Sequence, residues 1–515
     1  MTQISCIAPP QPSPAAQRAR VEIHVRRILI LFSVIASVAV LCHLVVQFWA
    51  QNEFTQPESV VGAQATMLAR DGTLYYDLNR YPYTVAAYMP IFYWLSAGLI
   101  KIGFPIFLAG RLWSSAAMIG IFVLTWRLLM LYTGDRYCAW TGTVICASTS
   151  LISIWGTVGQ VDTVAIFWSL AAFYQFSRYY IRRESALVWA GACVLAAFFT
   201  KQTMLACPAA IFVLLWFRDR KVALQFGAGL AAVVVVLVLA INTALSGRFL
   251  ADTVFANMNP FALEKIRVHV GYAVIALGQL VIIAAAGARR AMRGHGVALY
   301  VYFAMAASIL ALTAPKIGSD SNYQIESTVL LILCACLALH ELDFFALLFN
   351  GSRAWVTLLQ APLLIHLILN LQIEAFSLSG RVSKEKQLRT QIAALRPYLA
   401  DGGKVISTDI NSMARLRGRL DVEPLIYKLL VAGGAVDPEP VRRDLAASAF
   451  STILLFESVN QKQEPDLEIP TLPAAQIEEV RRHYKLVDHL PGPYLAGIYI
   501  YKPVSVARTI LSSAR

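Results

Sequence analysis

Charge is scarce in this chain: only 15% of its 515 residues are Asp, Glu, Lys or Arg, against roughly 25% in soluble globular proteins. That shortage excludes an ordinary soluble enzyme, and it equally excludes a disordered or collagen-like chain. Acidic residues are the rarer sign, 31 against 44 Lys+Arg, which leaves a net charge of +13. In a soluble protein such an excess would raise nucleic acid as a partner. Here none is expected, because the positives are better explained as cytoplasmic loop residues of a membrane protein. Cysteine is also sparse. There are eight, none beyond Cys336, and all but Cys6 lie in or beside apolar stretches. That pattern is neither a disulfide framework nor a metal-ligand spacing. What the chain does have is hydrophobicity: 57% of residues and a mean hydropathy of +0.59.

Crossing a bilayer of roughly 30 Å takes about 20 apolar residues. Such runs occupy 28–49, 106–126, 137–155, 162–178, 186–200, 202–217, 222–245, 269–288, 296–313, 324–340 and 354–373. The first follows Arg18, Arg20, Arg26 and Arg27 as a signal peptide would. It is too long for a signal core and lacks a small-residue cleavage site, so it reads as a retained anchor with a cytoplasmic N-terminus. Residues 89–103 are apolar but only 15 long. If they do not span, the cytoplasmic loops hold Arg127, Arg136, Arg178, Arg182, Arg183, Arg218, Arg220, Lys221, Arg289, Arg290, Arg293 and Arg353. The external loops then hold Lys201, Arg248, Lys265, Arg267 and Lys316. If 89–103 spans, the counts reverse, against the positive-inside rule. The expectation is therefore a mainly α, polytopic helical membrane bundle of about eleven transmembrane helices, with 89–103 as a juxtamembrane or re-entrant helix.

After residue 373 charges become frequent. Lys384–Tyr398 has helical periodicity, ended by Asp401-Gly402-Gly403. Lys404–Thr408, Thr452–Phe456, Tyr484–Asp488 and Tyr494–Tyr501 read as strands, and Pro438–Leu445 and Ala474–Arg482 as helices. The expected organisation is a 1–27 cytoplasmic tail, a 28–373 membrane domain with an external loop over 50–105, and a soluble α/β domain over 374–515. The last shows no Gly-rich phosphate loop and no triad spacing, so recognition of an acceptor or docking suits it better than chemistry.

Ionisable residues near a bilayer are costly to hold and commonly functional. They gather in stretches that the charge rule places on the outer side. In 53–90, Glu58 stands three residues after Thr55, so a capping box competes with a catalytic carboxylate. Asp71-Gly72 is a turn signal. In Gly156-Thr-Val-Gly-Gln-Val-Asp162, Asp162 suits a helix N-terminus as well as a site. In Thr200-Lys201-Gln202, Lys201 either snorkels or binds an anion. In Lys316-Ile-Gly-Ser-Asp320-Ser-Asn322-Tyr323-Gln-Ile-Glu326, Glu326 falls within an apolar span and wants a cation, with Lys316 the nearest in sequence.

Taken together these stretches resemble the GT-C superfamily of integral-membrane glycosyltransferases, which contains protein O-mannosyltransferases and aminoarabinose transferases. The resemblance rests on Glu58 after the first span, Gly72-Thr-Leu-Tyr75, Pro82, Tyr88-Met-Pro90-Ile-Phe-Tyr93 and Arg111. It continues through Asp162, the Phe-Thr-Lys-Gln string ending at Gln202, and the string from Lys316 to Glu326, and covers about residues 28–375. Two departures stand out: a lone Glu58 replaces the Asp-Glu pair of many relatives, and Met89 occupies a position where some carry Lys.

The resemblance implies transfer of a sugar from a polyprenyl-phosphate donor to an acceptor hydroxyl on a glycan, lipid or protein, within the lipid bilayer of a bacterial inner membrane. The expected C-terminal domain is then periplasmic. Glu58 or Asp162 would be the base of an inverting transfer. Lys201, Lys316 or Arg80 would stabilise the departing phosphate. Tyr75, Tyr88 and Tyr93 would shape the sugar site, with Gln202, Asp320, Asn322, Tyr323 and Glu326 as further substrate contacts. No cofactor is required, and a divalent metal is compatible without being demanded. The competing readings are a transporter or flippase of lipid-linked sugars, although no internal repeat is evident, and a non-catalytic membrane scaffold.

Overall fold

The computed structural model describes residues 14–183, 185–342, 353–460, 471–493 and 497–507. Each of the eleven apolar runs is helical. In chain order the helices of the first part are α1 (Pro14–Trp49), α2 (Gln56–Asp71), α3 (Pro90–Lys101), α4 (Ile106–Thr133), α5 (Arg136–Ser148), α6 (Ser150–Gly156) and α7 (Val161–Arg182). There follow α8 (Leu187–Phe198), α9 (Ala206–Arg218) and α10 (Arg220–Ala244). Next come α11 (Glu264–Ala291), α12 (Val297–Thr313), α13 (Ile325–Glu341) and α14 (Arg353–Leu395). A π-helical turn, Ala273–Leu277, interrupts α11. Six of the described helices are long and apolar enough to cross a membrane, seven if the pair α5 and α6, bent by 62°, is one span. The helices α8, α9 and α12 are apolar but shorter. At 12 residues α3 reaches only about 18 Å along its axis, too little to span. Its Trp94 is exposed.

The bundle is layered by hydrophobicity. Buried residues fill α13 almost completely, from Ile325 through Leu339, and α7 contributes Ala165, Ile166, Leu170, Phe173 and Phe176 to the same core. By contrast α10 exposes Val233, Val235, Val236 and Leu239, the composition of a lipid-facing helix. The break between α5 and α6 leaves backbone donors that a helix interior would satisfy. A polar stripe on α14 meets them. Asn370 Oδ1 accepts from Ser150 N at 2.9 Å and from Ser150 Oγ at 2.7 Å. Arg381 donates to Thr157 Oγ1 at 2.7 Å and to the Ile154 carbonyl at 2.6 Å.

α14 does not stop at residue 373. It runs unbroken to Leu395 and closes with a 3₁₀ turn, Arg396–Leu399. The stretch expected as a separate helix over 384–398 is its end. Beyond it lies one four-stranded sheet in the order β1-β2-β4-β3: β1 (Lys404–Ser407), β2 (Phe450–Leu455), β3 (Tyr484–Leu490) and β4 (Ile498–Pro503). β1 pairs parallel with β2, Val405 against Thr452, while β4 is antiparallel to both β2 and β3. Of the expected strand over 494–501, residues 494–496 lie outside the described residues. The helices α15 (Ile410–Leu416), α16 (Pro424–Ala432), α17 (Glu439–Ala446) and α18 (Ala474–His483) flank the sheet. The first two are absent from the sequence reading.

The sheet domain sits on the segment from α2 to the start of α4. Tyr83 and Val85 pack into a core with Ile406, Val422, Tyr427 and Ile453, and Ala63, Met67 and Phe107 into another with Ile410, Met413 and Leu454. Backbone bonds join the two parts: Tyr83 N donates to the Asp421 carbonyl at 2.9 Å and Glu423 N to the Tyr83 carbonyl at 2.9 Å.

Candidate functional site

Glu58 is the third residue of α2, after Gln56 and Pro57. The expected capping box does not form, since Thr55 makes no side-chain cap. Instead Glu58 Oε2 accepts from Phe54 N at 2.6 Å and Oε1 from Gly159 N at 2.7 Å. Arg111, from the first turns of α4, meets both oxygens, Nε at 2.8 Å and Nη2 at 2.9 Å. The remaining guanidinium protons go to the carbonyls of Gln47, Ala50 and Asn52. The Phe54 ring lies between two guanidinium groups, Arg111 at 3.8 Å and Arg381 at 4.2 Å. Burial by itself would raise the Glu58 carboxyl; the Arg111 charge and these hydrogen bonds outweigh it and hold the group below the usual range. The packing needs glycine at 159, where a Cβ would stand 3.2 Å from both Arg111 N and Glu58 Oε1. Both side chains are sealed, at 0% and 1% exposure. This is an anchor tying α2, α4 and the turn before α7.

A second buried pair lies further along. Asp162, in the first turn of α7, accepts from Lys201 Nζ at 2.6 Å. The Lys201 ammonium is 4.1 Å from the centre of the Tyr323 ring and 6.0 Å from that of Tyr88. Asp162 Oδ2, Gln202 Oε1 and Asn322 Oδ1 are buried without a partner among the described residues. Gln202 Nε2 donates to the carbonyls of Ala87 and Thr253 at 2.8 and 2.9 Å, which fixes the loop bearing Tyr88. Lys316 does not pair with Glu326. It donates to Asn257 Oδ1 at 3.0 Å, whereas Glu326 accepts from Ser169 Oγ and Tyr302 OH, both at 2.6 Å. Two hydroxyls on neighbouring helices reach Glu326 inside the bundle. Burial, with the Lys201 charge nearby, lowers the Lys316 amine below its ordinary value.

A cavity of about 320 Å³ gathers much of this set. Tyr88, Tyr93, Asn257, Lys316, Asp320 and Tyr323 line its membrane side, with Pro57, Val60, Val61 and Gln64 of α2. Thr408, Ile410 and Glu423 close it from the sheet domain. Tyr75 OH holds the Tyr88 carbonyl at 3.0 Å, and Tyr93 OH donates to Gln64 Oε1 at 3.0 Å. Asp320 caps its own turn through Ser321 N. Arg80 stands apart. It is 83% exposed, lies 3.6 Å from Asp77 and faces a different cleft beside Tyr76 and Arg248. Of the expected residues, Tyr88, Tyr93, Lys316, Asp320 and Tyr323 thus share one cavity, with Asp162 and Lys201 behind two of its tyrosines. Glu58, Tyr75, Arg80, Gln202, Asn322 and Glu326, like Asp162 and Lys201, are not among its lining residues.

Sequence reasoning passed over Gln64, Asn257 and Glu423. The signal for Gln64 was there, a polar residue on the apolar face of α2. Glu423 resembled a residue before a helix-opening proline. Among the described residues no three His, Cys, Asp or Glu are placed to share a metal ion. The charge of Asp162 is met by an ammonium rather than by a cluster of carboxylates awaiting a cation.

No family model matches the sequence, and no curated protein matches it. Solved structures do match in shape. ArnT from Cupriavidus metallidurans bound to undecaprenyl phosphate superposes with a TM-score of 0.59 at 13% identity, covering 93% of this chain and 98% of ArnT. Its apo form gives 0.61 at 12% identity, covering 94% and 99%. The oligosaccharyltransferase of Archaeoglobus fulgidus, in a complex with Zn and sulfate, gives 0.51 at 13% identity, covering 91% and 73%. This chain has the fold of ArnT and of the archaeal oligosaccharyltransferase.

Proposed function

We propose that the chain is a membrane glycosyltransferase of GT-C type, moving a sugar from a polyprenyl-phosphate donor to an acceptor hydroxyl at the outer face of a bacterial inner membrane. The observation that carries this reading is one cavity lined by Tyr88, Tyr323 and Lys316, with the buried Asp162–Lys201 pair packed behind those two tyrosines. All eleven apolar helices cross the bilayer in this reading, α3 lies at the interface, and the sheet domain faces outward. The matched ArnT structure holds undecaprenyl phosphate, which supports a polyprenyl-phosphate donor.

In this mechanism Lys316 and Lys201 supply positive charge toward the phosphate as it leaves. The acceptor oxygen attacks the anomeric carbon from the opposite face, the bond from that carbon to the phosphate oxygen breaks, and its electron pair departs with the polyprenyl phosphate. The hydroxyl proton passes to Asp162, whose Oδ2 has no competing partner among the described residues. Inversion at the anomeric carbon follows from a single displacement. Glu58 becomes the anchor of this architecture rather than its base, because Arg111 and two backbone N–H groups occupy both its oxygens. The test uses purified full-length protein in nanodiscs with a radiolabelled undecaprenyl-phosphate-linked sugar. Asp162→Asn and Lys316→Ala are each expected to slow transfer at least about 100-fold, the lower range for loss of a general base or a charge-stabilising donor. Full activity of Asp162→Asn would remove Asp162 as base, and full activity of both would remove the site.

A further inference from the structure

The sheet domain closes the cavity with one acidic side chain, Glu423. It is 4% exposed, immediately before Pro424 at the start of α16. Its backbone is pinned from the membrane side: Glu423 N donates to the Tyr83 carbonyl at 2.9 Å, and Val422 bridges both Tyr83 and Ile406. Its side chain ends a hydrogen-bonded relay through the cavity wall. Tyr93 OH donates to Gln64 Oε1 at 3.0 Å, Gln64 Nε2 to Thr84 Oγ1 at 3.1 Å, and Thr84 Oγ1 to Glu423 Oε2 at 3.1 Å. A carboxyl placed merely to cap α16 would bond that helix's first amides; no side-chain cap is made there. Burial is expensive for an acid with no cation beside it, and here the Thr84 hydroxyl is the side-chain partner that offsets it.

The two walls therefore differ in character. The membrane wall presents amine and amide groups, Lys316 and Asn257, suited to phosphate, and its carboxylate, Asp320, is turned to its own Ser321 N. The domain wall presents the Glu423 carboxyl, suited to hydroxyl donors, while the Thr408 hydroxyl beside it is taken up by the Leu454 carbonyl and Phe456 N. We infer that Glu423 is the acceptor-positioning residue: it accepts a hydrogen bond from a hydroxyl of a polyhydroxylated acceptor and orients it across the cavity from the donor phosphate. This rests on the transferase reading and adds to it which wall reads which substrate. Burial lifts the Glu423 carboxyl to about 7, the Thr84 bond opposing, so both its accepting and its donating form are populated near neutrality.

The test titrates a membrane lipid extract as acceptor against fixed labelled undecaprenyl-phosphate-linked sugar, and measures undecaprenyl phosphate binding separately. Glu423→Gln is expected to raise the half-saturating acceptor about tenfold, the scale of one hydrogen bond to a charged group. Its donor half-saturation and undecaprenyl phosphate binding stay within about twofold of wild type, below the tenfold worth of a lost bond. Thr84→Ala shifts acceptor half-saturation the same way by less, and Glu423→Asp recovers part of it. Lys316→Ala does the reverse, weakening undecaprenyl phosphate binding. An unchanged acceptor titration for Glu423→Gln, in protein of wild-type thermal stability, overturns the assignment and leaves the transferase reading standing. A shift in donor rather than acceptor half-saturation also overturns it. Should Glu423→Gln fail to fold, Thr84→Ala with an unchanged acceptor titration overturns it equally. If the wild-type protein neither binds undecaprenyl phosphate nor transfers sugar, both readings fall.

Discussion

Two buried ion pairs differ in how far their carboxylates are engaged. Glu58 accepts four bonds and has no oxygen left for a substrate, while Asp162 keeps one oxygen uncommitted. Glu58→Gln strands the Arg111 guanidinium, and loss of one partner of a buried pair costs about 3–5 kcal/mol. The expected outcome is a large drop in thermal midpoint in detergent, with much less effect on turnover per folded molecule; Asp162→Asn strands the buried Lys201 ammonium, so it should lower the midpoint as well and, unlike Glu58→Gln, also remove most turnover per folded molecule. A second expectation concerns pH. Burial raises Glu53 and Glu423 to about 7, opposed by Lys384 and by Thr84 respectively. A carboxyl whose folded pKa exceeds its unfolded value near 4.5 contributes stability that is complete below that value and lost as pH rises toward 7. Thermal midpoints should thus fall between pH 5 and 7 at these sites, about pH 5 being just above the unfolded value. The Glu423→Gln protein should fall less steeply. Asp162 and Lys201 were legible in the sequence because polar residues beside apolar runs are conspicuous. Their pairing was not, with 39 residues between them, nor was that of Glu58 with Arg111, 53 apart.

At the scale of elements, hydrophobic run length picked out stretches that fold as apolar helices, six or seven of them, among the described residues, long enough to cross a membrane, since burial in lipid or bundle demands apolar side chains whichever partner they meet. Ends were harder. The rise in charge after residue 373 reads as a domain boundary, yet the backbone continues helical to Leu395. Polarity reports where water begins, and a helix satisfies its own hydrogen bonds on either side of that line. The short helices Ile410–Leu416 and Pro424–Ala432 escaped because seven and nine residues show too little periodicity. The bend between α5 and α6 depends on Asn370. Asn370→Leu removes the acceptor for Ser150 N and is expected to destabilise the protein by about 1–3 kcal/mol, the cost of an unsatisfied buried donor. Thermal unfolding of the reconstituted protein measures it. Gly287 is similarly committed: a Cβ there would lie 2.4 Å from that of Ala338, so Gly287→Val should force α11 from α13 and lower the yield of folded protein.

For the whole molecule, the candidate site belongs to neither the bundle nor the sheet domain alone. Its floor comes from loops between membrane helices and its closure from residues 408–429. That assembly was beyond the sequence reading, which recognised each loop and the domain but had no means to seat one on the other. Orientation is testable at this scale. A cysteine replacing Asn259, at the cavity's edge, should react with a membrane-impermeant maleimide in intact spheroplasts. One replacing Arg289 should react only after lysis.

The unbroken α14 has a mechanical consequence. In the proposed reading one rod begins in the bilayer and ends under the sheet domain, where Leu395 packs in one core with Ile410 and Leu454, so a change of tilt would carry to the domain that closes the cavity. Hydrophobic mismatch is relieved largely by tilting. In that reading, how wide the cavity's mouth stands follows the thickness of the surrounding membrane.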